Sequence, residues 1–158
     1  MKLYIKEHIF TIGDRFSVMD QWGNEKYFVQ GEIFTLGRKL HISDTTGAEV
    51  ALIRQELLTL LPQYAVEVNG REIARVKREF SLFFPRYSIE GLGWEIEGSF
   101  LEHDYAITRN GETIVTISKE WMTWGDSYEL DIRDPKDELL ALAVVLTIDC
   151  VRESQNNN

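Results

Sequence analysis

The sequence predicts a mainly β protein, a single antiparallel barrel of about 10–12 strands closed around a buried C-terminal helix. Three observations carry this. Apolar residues alternate with polar ones over most of the chain, turn-forming glycines recur at regular intervals, and one late segment is apolar in every direction. Ten or so half-buried strands left as an open sheet would expose long unpaired edges, so they must form a sandwich or close.

The turns come first in the argument. Asp20-Gln-Trp-Gly23, Asp44-Thr-Thr-Gly47, Asn69-Gly70 and Asn110-Gly111 place glycines 24, 23 and 41 residues apart, and Gly91 divides the last interval into 21 and 20. Glycine and asparagine accept the positive φ of tight hairpins, and Asn-Gly between alternating runs is the strongest short-range hairpin signal. The flanks read as strands with one wet face: Phe16 and Val18; Leu40 and Ile42; Tyr64, Val66 and Val68; Trp94 and Ile96; Tyr105 and Ile107; Tyr128, Leu130 and Ile132. In the last of these the opposite face is Ser127, Glu129, Asp131 and Arg133, which is no core surface.

Leu139 to Ile148 breaks the alternation, and Asp134-Pro135 before it reads as an N-cap followed by proline at the first helical position. The expected helix runs from about Pro135 to Val151. It is apolar all round and so requires burial in protein or lipid. Its eight apolar residues before Thr147 are too few for a membrane span. The barrel lumen is the remaining place for it.

The chain has 158 residues, which fits one domain, taken as residues 1–152 with a disordered tail at 153–158. Apolar residues make up 44% of it, enough for a sizeable core, and the single cysteine, Cys150, makes no internal disulfide. No apolar signal segment follows Met1, so the expected compartment is the cytoplasm, with peripheral association at the inner membrane surface as a further setting. The net charge is −9 and unevenly placed: residues 1–89 hold 12 Lys+Arg against 11 Asp+Glu, and residues 90–138 hold 4 against 13. That balance repels phosphate polymers, so nucleic acid is not an expected partner.

The hairpins, Trp94-Glu-Ile-Glu-Gly-Ser-Phe100, Ile117-Ser-Lys-Glu-Trp121, Asp126-Ser-Tyr-Glu-Leu-Asp-Ile132 and the helix from Leu139 to Asp149 resemble the LURP-one-related proteins, including bacterial YxjI-type members. The resemblance spans about Phe10 to Val151. It implies the fold shared by the tubby C-terminal domain and phospholipid scramblases, a barrel around a central helix. It also implies lipid-headgroup binding, membrane association or an adaptor role.

Catalytic signatures are missing from the sequence: no H-E-x-x-H, G-x-S-x-G or G-x-x-x-x-G-K-[ST] occurs, and Gly91-Leu-Gly93 lacks the third glycine of a dinucleotide loop. No enzymatic activity and no cofactor are expected. His8, His41 and His103 lie in separate hairpins without ligand spacing and read as surface or strand-end residues, and Cys150 reads as a buried, inert thiol. Asp131, Asp134 and Asp137 form an acidic segment that could hold Ca²⁺, but the D-x-[DN]-x-[DN]-G loop is absent and a capping role for Asp134 accounts for it better.

The most suggestive surface is the strand Arg71-Glu-Ile-Ala-Arg-Val-Lys-Arg78, where alternation puts Arg71, Arg75 and Lys77 on one face. Tubby-type domains bind phosphoinositide through a Lys and an Arg two apart on a strand, and Arg75-x-Lys77 is the nearest likeness. At an anionic bilayer the three cations offer about 3 kcal/mol, which is weak unless an apolar segment inserts beside them. The run Phe80 to Tyr87, with Arg78 and Arg86 at its ends and Phe83 within it, is either such an interfacial anchor or the next strand. The favoured reading is a strand with Phe80, Leu82 and Phe84 inward. Leu57-Leu-Thr-Leu-Leu61 shares the ambiguity, and Trp121 and Trp124 are either partner anchors or lids over the barrel end. The leading functional reading is a non-catalytic domain that recognises an anionic headgroup or acidic ligand through the basic face formed by Arg71, Arg75, Lys77, Arg78 and Arg86. The alternative is a protein-interaction adaptor without lipid binding.

Overall fold

The computed structural model describes residues 1–6, 15–34, 36–99, 103–122 and 125–156. Its strands are β1 (Lys2–Lys6), β2 (Arg15–Asp20), β3 (Glu25–Phe34), β4 (Gly37–Asp44), β5 (Glu49–Gln55), β6 (Gln63–Val68), β7 (Arg71–Glu79), β8 (Arg86–Glu90), β9 (Trp94–Ser99), β10 (Asp104–Arg109), β11 (Glu112–Met122) and β12 (Gly125–Ile132). All pair antiparallel in one sheet of order β8-β7-β6-β5-β4-β3-β2-β1-β12-β11-β10-β9. Most neighbours are successive hairpins, and the wall is completed where β1 meets β12, with Leu3 opposite Leu130 and Ile5 opposite Tyr128. The N-terminal ammonium of Met1 donates to the Ile132 carbonyl at 2.9 Å and seals that junction.

The alternation holds for the inward rows, although Ser127 and Glu129, on the face of β12 expected to be wet, are buried as well. Leu40 and Ile42, Ala51 and Ile53, Tyr64 and Val66, Ala74 and Val76, and Leu130 and Ile132 all turn inward and are buried. Asn69 and Gly70 have φ of 51° and 78°, and Asn110 and Gly111 have 52° and 79°, the pair of left-handed residues that a two-residue hairpin turn demands. Two other turns share a different device. Asp44 Oδ1 accepts the N–H groups of Thr46 and Ala48 at 2.8 and 3.2 Å, and Asp20 Oδ1 accepts those of Trp22 and Asn24, both at 2.9 Å.

The two ends of the sheet, β8 and β9, are consecutive in the chain but not paired with each other, so the barrel is nearly closed and carries one seam. Gly91 sits in the connection between them at φ 101°, where an added Cβ would lie 2.5 Å from the Ile73 carbonyl oxygen. Only glycine lets this corner press against β7.

Asp134 is extended (φ −117°, ψ 121°) and its side chain accepts the Lys136 N–H at 3.0 Å, capping a 3₁₀ turn at Pro135–Asp137. The α-helix α1 follows, Glu138–Asn156. Every residue from Ala141 to Val151 is buried. This all-round burial places the helix within the barrel. Its end differs from expectation: the chain is still helical at 153–156, where a disordered tail was predicted from composition. The Tyr64 hydroxyl and Ser154 Oγ, 2.7 Å apart, tie this last stretch to the mouth of the wall. No helix of the described residues is long and apolar enough to cross a membrane.

Because Leu142 is fully buried in this lumen, Leu142→Asp places an unpaired carboxylate in an apolar core at a cost of several kcal/mol, against a total stability of about 5–15 kcal/mol. The expected outcome is loss of the cooperative thermal transition, monitored by circular dichroism.

Candidate functional site

β7 presents its cations outward, as alternation predicts, with Ala74 and Val76 buried behind them. The face is nevertheless not a free basic stripe. Arg75 Nε lies 2.5 Å from Glu72 and 3.1 Å from Glu56, and Lys77 Nζ lies 2.7 Å from Glu90. The hydrogen bonds to Glu72 and Glu90 are the leading cause of the raised pKa of Arg75 and Lys77 respectively. Strand pairing brings Glu90 of β8 opposite Arg75 and so diagonal to Lys77, whereas Glu72 lies on β7 itself, three residues before Arg75. Arg71 lies at the far end of the same strand, beside the Asn69-Gly70 turn, while Arg78 and Arg86 flank the opposite end.

The aromatic run does not form the inward strand that its spacing suggests. β7 stops at Glu79, which pairs with Arg86 at the start of β8, so residues 80–85 are the loop that reverses the chain. Phe80, Leu82, Phe83 and Phe84 are 78–85% exposed. Pro85, which has no N–H for a ladder, precedes the return strand. The β5–β6 loop repeats the pattern: Leu58, at φ 63°, and Leu60 are fully exposed, and Leu57 is half-exposed.

Antiparallel order puts the β3–β4, β5–β6 and β7–β8 connections at one end of the barrel, the end where α1 finishes beside Tyr64. Leu36, Leu57, Leu58, Leu60, Phe80, Leu82, Phe83 and Phe84 therefore share an end, and Trp22 at the other end is the ninth large exposed apolar side chain among the described residues. Residues 36–39, 54–62 and 78–86 also hold five cations, Arg38, Lys39, Arg54, Arg78 and Arg86, against Glu56 and Glu79. Arg38 turns inward to the buried Cys150 thiol, whose pKa burial pushes up. Of the other four, Arg54 Nε lies 3.7 Å from Glu67 and Arg78 also has a partner, so the apolar loops carry four cations, two of them engaged, beside Glu56 and Glu79. Trp121 closes β11 opposite Asp126 in the backbone register, its side chain outside the described set, and Trp124 and His8 lie outside the described residues.

Asp131, Asp134 and Asp137 do not converge. Asp131 is exposed on β12, Asp134 caps the 3₁₀ turn, and Asp137 Oδ2 lies 3.5 Å from Arg109. Among the described residues no group of three or more His, Cys, Asp or Glu could hold a metal ion.

A buried polar network was missed by sequence reasoning: His103 does stand at a strand end, just before β10, but it is buried and not on the surface. His103 and Asp149 are each 2% exposed, with His103 Nε2 at 3.2 Å from Asp149 Oδ1. The Tyr128 hydroxyl donates to Asp149 Oδ2, and its ring stacks on His103 with centroids 4.1 Å apart. Arg152 Nη2 stands 3.6 Å from Asp149. Burial, then the Asp149 charge, holds the Tyr128 and Tyr105 pKa values well above the usual phenol range. The signal was available in Asp149 itself, a carboxylate in an otherwise apolar helix that has to find partners. Buried at His103 and Asp149, the network ties the helix to the wall. Asp149→Ala should cost about 3–5 kcal/mol in urea unfolding, since the Tyr128 hydroxyl and His103 lose their buried hydrogen-bond partner and Arg152 its counter-charge.

On the outer wall His41 of β4 bridges Glu32 of β3 through Nε2 and Glu49 of β5 through Nδ1. Burial pulls its pKa down, but the hydrogen bonds and charges of the two carboxylates outweigh this and raise it above 6.5. A raised folded-state pKa contributes stability that is full below the unfolded value and lost as pH rises through the folded one. The stability gap between wild type and His41→Gln should therefore be widest at about pH 6 and narrow as the solution is made alkaline, as read from melting temperatures.

The family model described as LURP-one-related matches residues 1–149. Protein YxjI of Bacillus subtilis (strain 168) is 32% identical over 151 residues, covering 96% of this chain and 93% of that one. An X-ray structure of a protein from Arabidopsis thaliana superposes with a TM-score of 0.63 at 17% identity, covering 94% of this chain and 90% of the other.

Proposed function

Since the chain belongs to the LURP-one-related family and gathers its exposed apolar side chains at one end of the barrel, we propose that it is a non-catalytic binding domain that docks end-on against an anionic membrane surface. The observation that carries this reading is the pair of loops holding Leu58, Leu60, Phe83 and Phe84, exposed to water with cations beside them.

Magnitudes decide which part of the surface does the binding. A cation at an anionic bilayer gains about 1 kcal/mol, so four offer at most about 4, reduced by Glu67 at Arg54 and by the two neighbouring glutamates. Full transfer of an exposed leucine or phenylalanine from water is worth about 1.5–3 kcal/mol, so two inserted side chains match or exceed the whole electrostatic contribution. The β7 face contributes less than its sequence promises, because Arg75 and Lys77 already face glutamates. Recognition therefore shifts from the strand face to the loop end, where Arg78 and Arg86 frame the aromatic run.

Vesicle co-sedimentation tests this. Wild-type protein should bind vesicles rich in phosphatidylglycerol, and the double variant Leu58→Asp/Phe83→Asp should bind at least tenfold more weakly with an almost unchanged melting temperature, because both sites are solvent-exposed. Charge reversal at Arg75 and Lys77 should have the smaller effect. Wild type that ignores vesicles, or a double variant that binds as well as wild type, overturns the reading and leaves the loop end to a protein partner.

A further inference from the structure

A second concave surface lies at the opposite end of the barrel, where the β6–β7 turn meets the start of α1. It is a groove of about 500 Å³, within the range of small-molecule sites. Its apolar walls are Val68, Ile73, Leu139 and Leu140, and Arg71 and Lys136 stand at its rim. No aromatic ring lines it, so flexible aliphatic chains fit it better than planar ligands.

The charges around this groove are largely cancelled, with one exception. Lys136 Nζ is 3.1 Å from Asp134, Lys26 Nζ 3.4 Å from Glu138, Arg109 Nη1 3.5 Å from Asp137, and Arg75 takes Glu72. Asp137 and Glu138 at the start of the helix are thus matched by cations from β10 and β3, and Asp134 by Lys136 of the turn it caps. Arg71 is left without an ion pair among the described residues. An aliphatic cleft with one uncompensated guanidinium is complementary to an aliphatic chain that ends in a carboxylate, which a guanidinium binds in a two-point fork.

We propose that this groove binds a medium-chain acyl carboxylate, with Arg71 holding the headgroup and Leu139, Leu140, Val68 and Ile73 the chain. In end-on docking the groove faces away from the bilayer, so the site stays open to a ligand delivered through water. The assignment does not depend on docking. Arg71→Glu lies at the far end from the apolar loops and should leave vesicle binding unchanged, which separates failure of the one reading from failure of the other.

The probe is sodium decanoate below its micelle concentration, titrated into full-length protein with labelled methyl groups and followed by NMR. Saturable shifts of the Leu139, Leu140, Val68 and Ile73 methyls are expected, with affinity rising up to about fourfold per methylene from hexanoate to decanoate. Arg71→Glu, an exposed turn-side change that leaves the melt intact, should weaken binding at least about tenfold, and Arg71→Lys should restore part of it. Decyltrimethylammonium should leave these methyls unmoved. Non-saturating shifts, shifts confined to Leu58 and Leu60, equal response to the cationic probe, or unchanged affinity in Arg71→Glu would each overturn the assignment.

Discussion

A helix with no polar side is the constraint on which the rest of this structure depends. A surface helix needs one apolar wall, but the run from Ala141 to Val151 is buried on every face and needs a wall all the way round. The sheet supplies it from its inward rows, Ile42, Ile53, Val66, Val76 and Leu130 among them. The polar side chains that the helix carries into the lumen find partners there: the Thr147 hydroxyl donates to the Ala143 carbonyl at 2.6 Å, and Asp149 takes Tyr128 and His103. A closed wall also fixes where a surface for partners can be. With the inside filled and the outside laced by pairs such as Lys2–Glu129 and Arg75–Glu56, the uncommitted apolar surface collects at the two ends.

Much of this architecture is local in origin and therefore legible in the sequence. Alternation names the inward residues of each strand, Asn69-Gly70 and Asn110-Gly111 name their turns, and Asp134-Pro135 names the start of the helix, because each signal depends only on residues a few positions apart. The basic face of β7 was half legible. Its outward direction follows from period two, but its neutralisation by Glu56 and Glu90 depends on strand neighbours that no local pattern reveals. The loop at residues 80–85 shows the same limit from the other side. Phe80, Leu82 and Phe84 have the spacing of a buried strand, and only the pairing of Glu79 with Arg86 turns them out to water. His103 and Asp149, 46 residues apart, meet only in the closed barrel.

The functional surfaces divide along the same lines. The acidic third quarter of the chain forms β9–β12 and the start of the helix, where some of its acids meet cations, as Glu112 does with Arg133 and Glu138 with Lys26 of β3. The apolar loops belong instead to the β3–β8 half, where basic residues outnumber acidic ones around them. The barrel is thus polarised both around its circumference and along its axis.

The position of the helix in the chain has a consequence for biosynthesis. The core follows all twelve strands, so during translation the wall emerges before anything that can fill it. The first strand must also wait for the twelfth, because β1 pairs with β12 across nearly the whole chain. Closure thus carries a large loop entropy and folding is expected to be slow. Until α1 leaves the ribosome, the inward rows of Val, Ile and Leu and two unpaired sheet edges stand open to other chains. Nascent chains halted before Asp134 would present a hollow wall whose apolar rows have nothing to pack against.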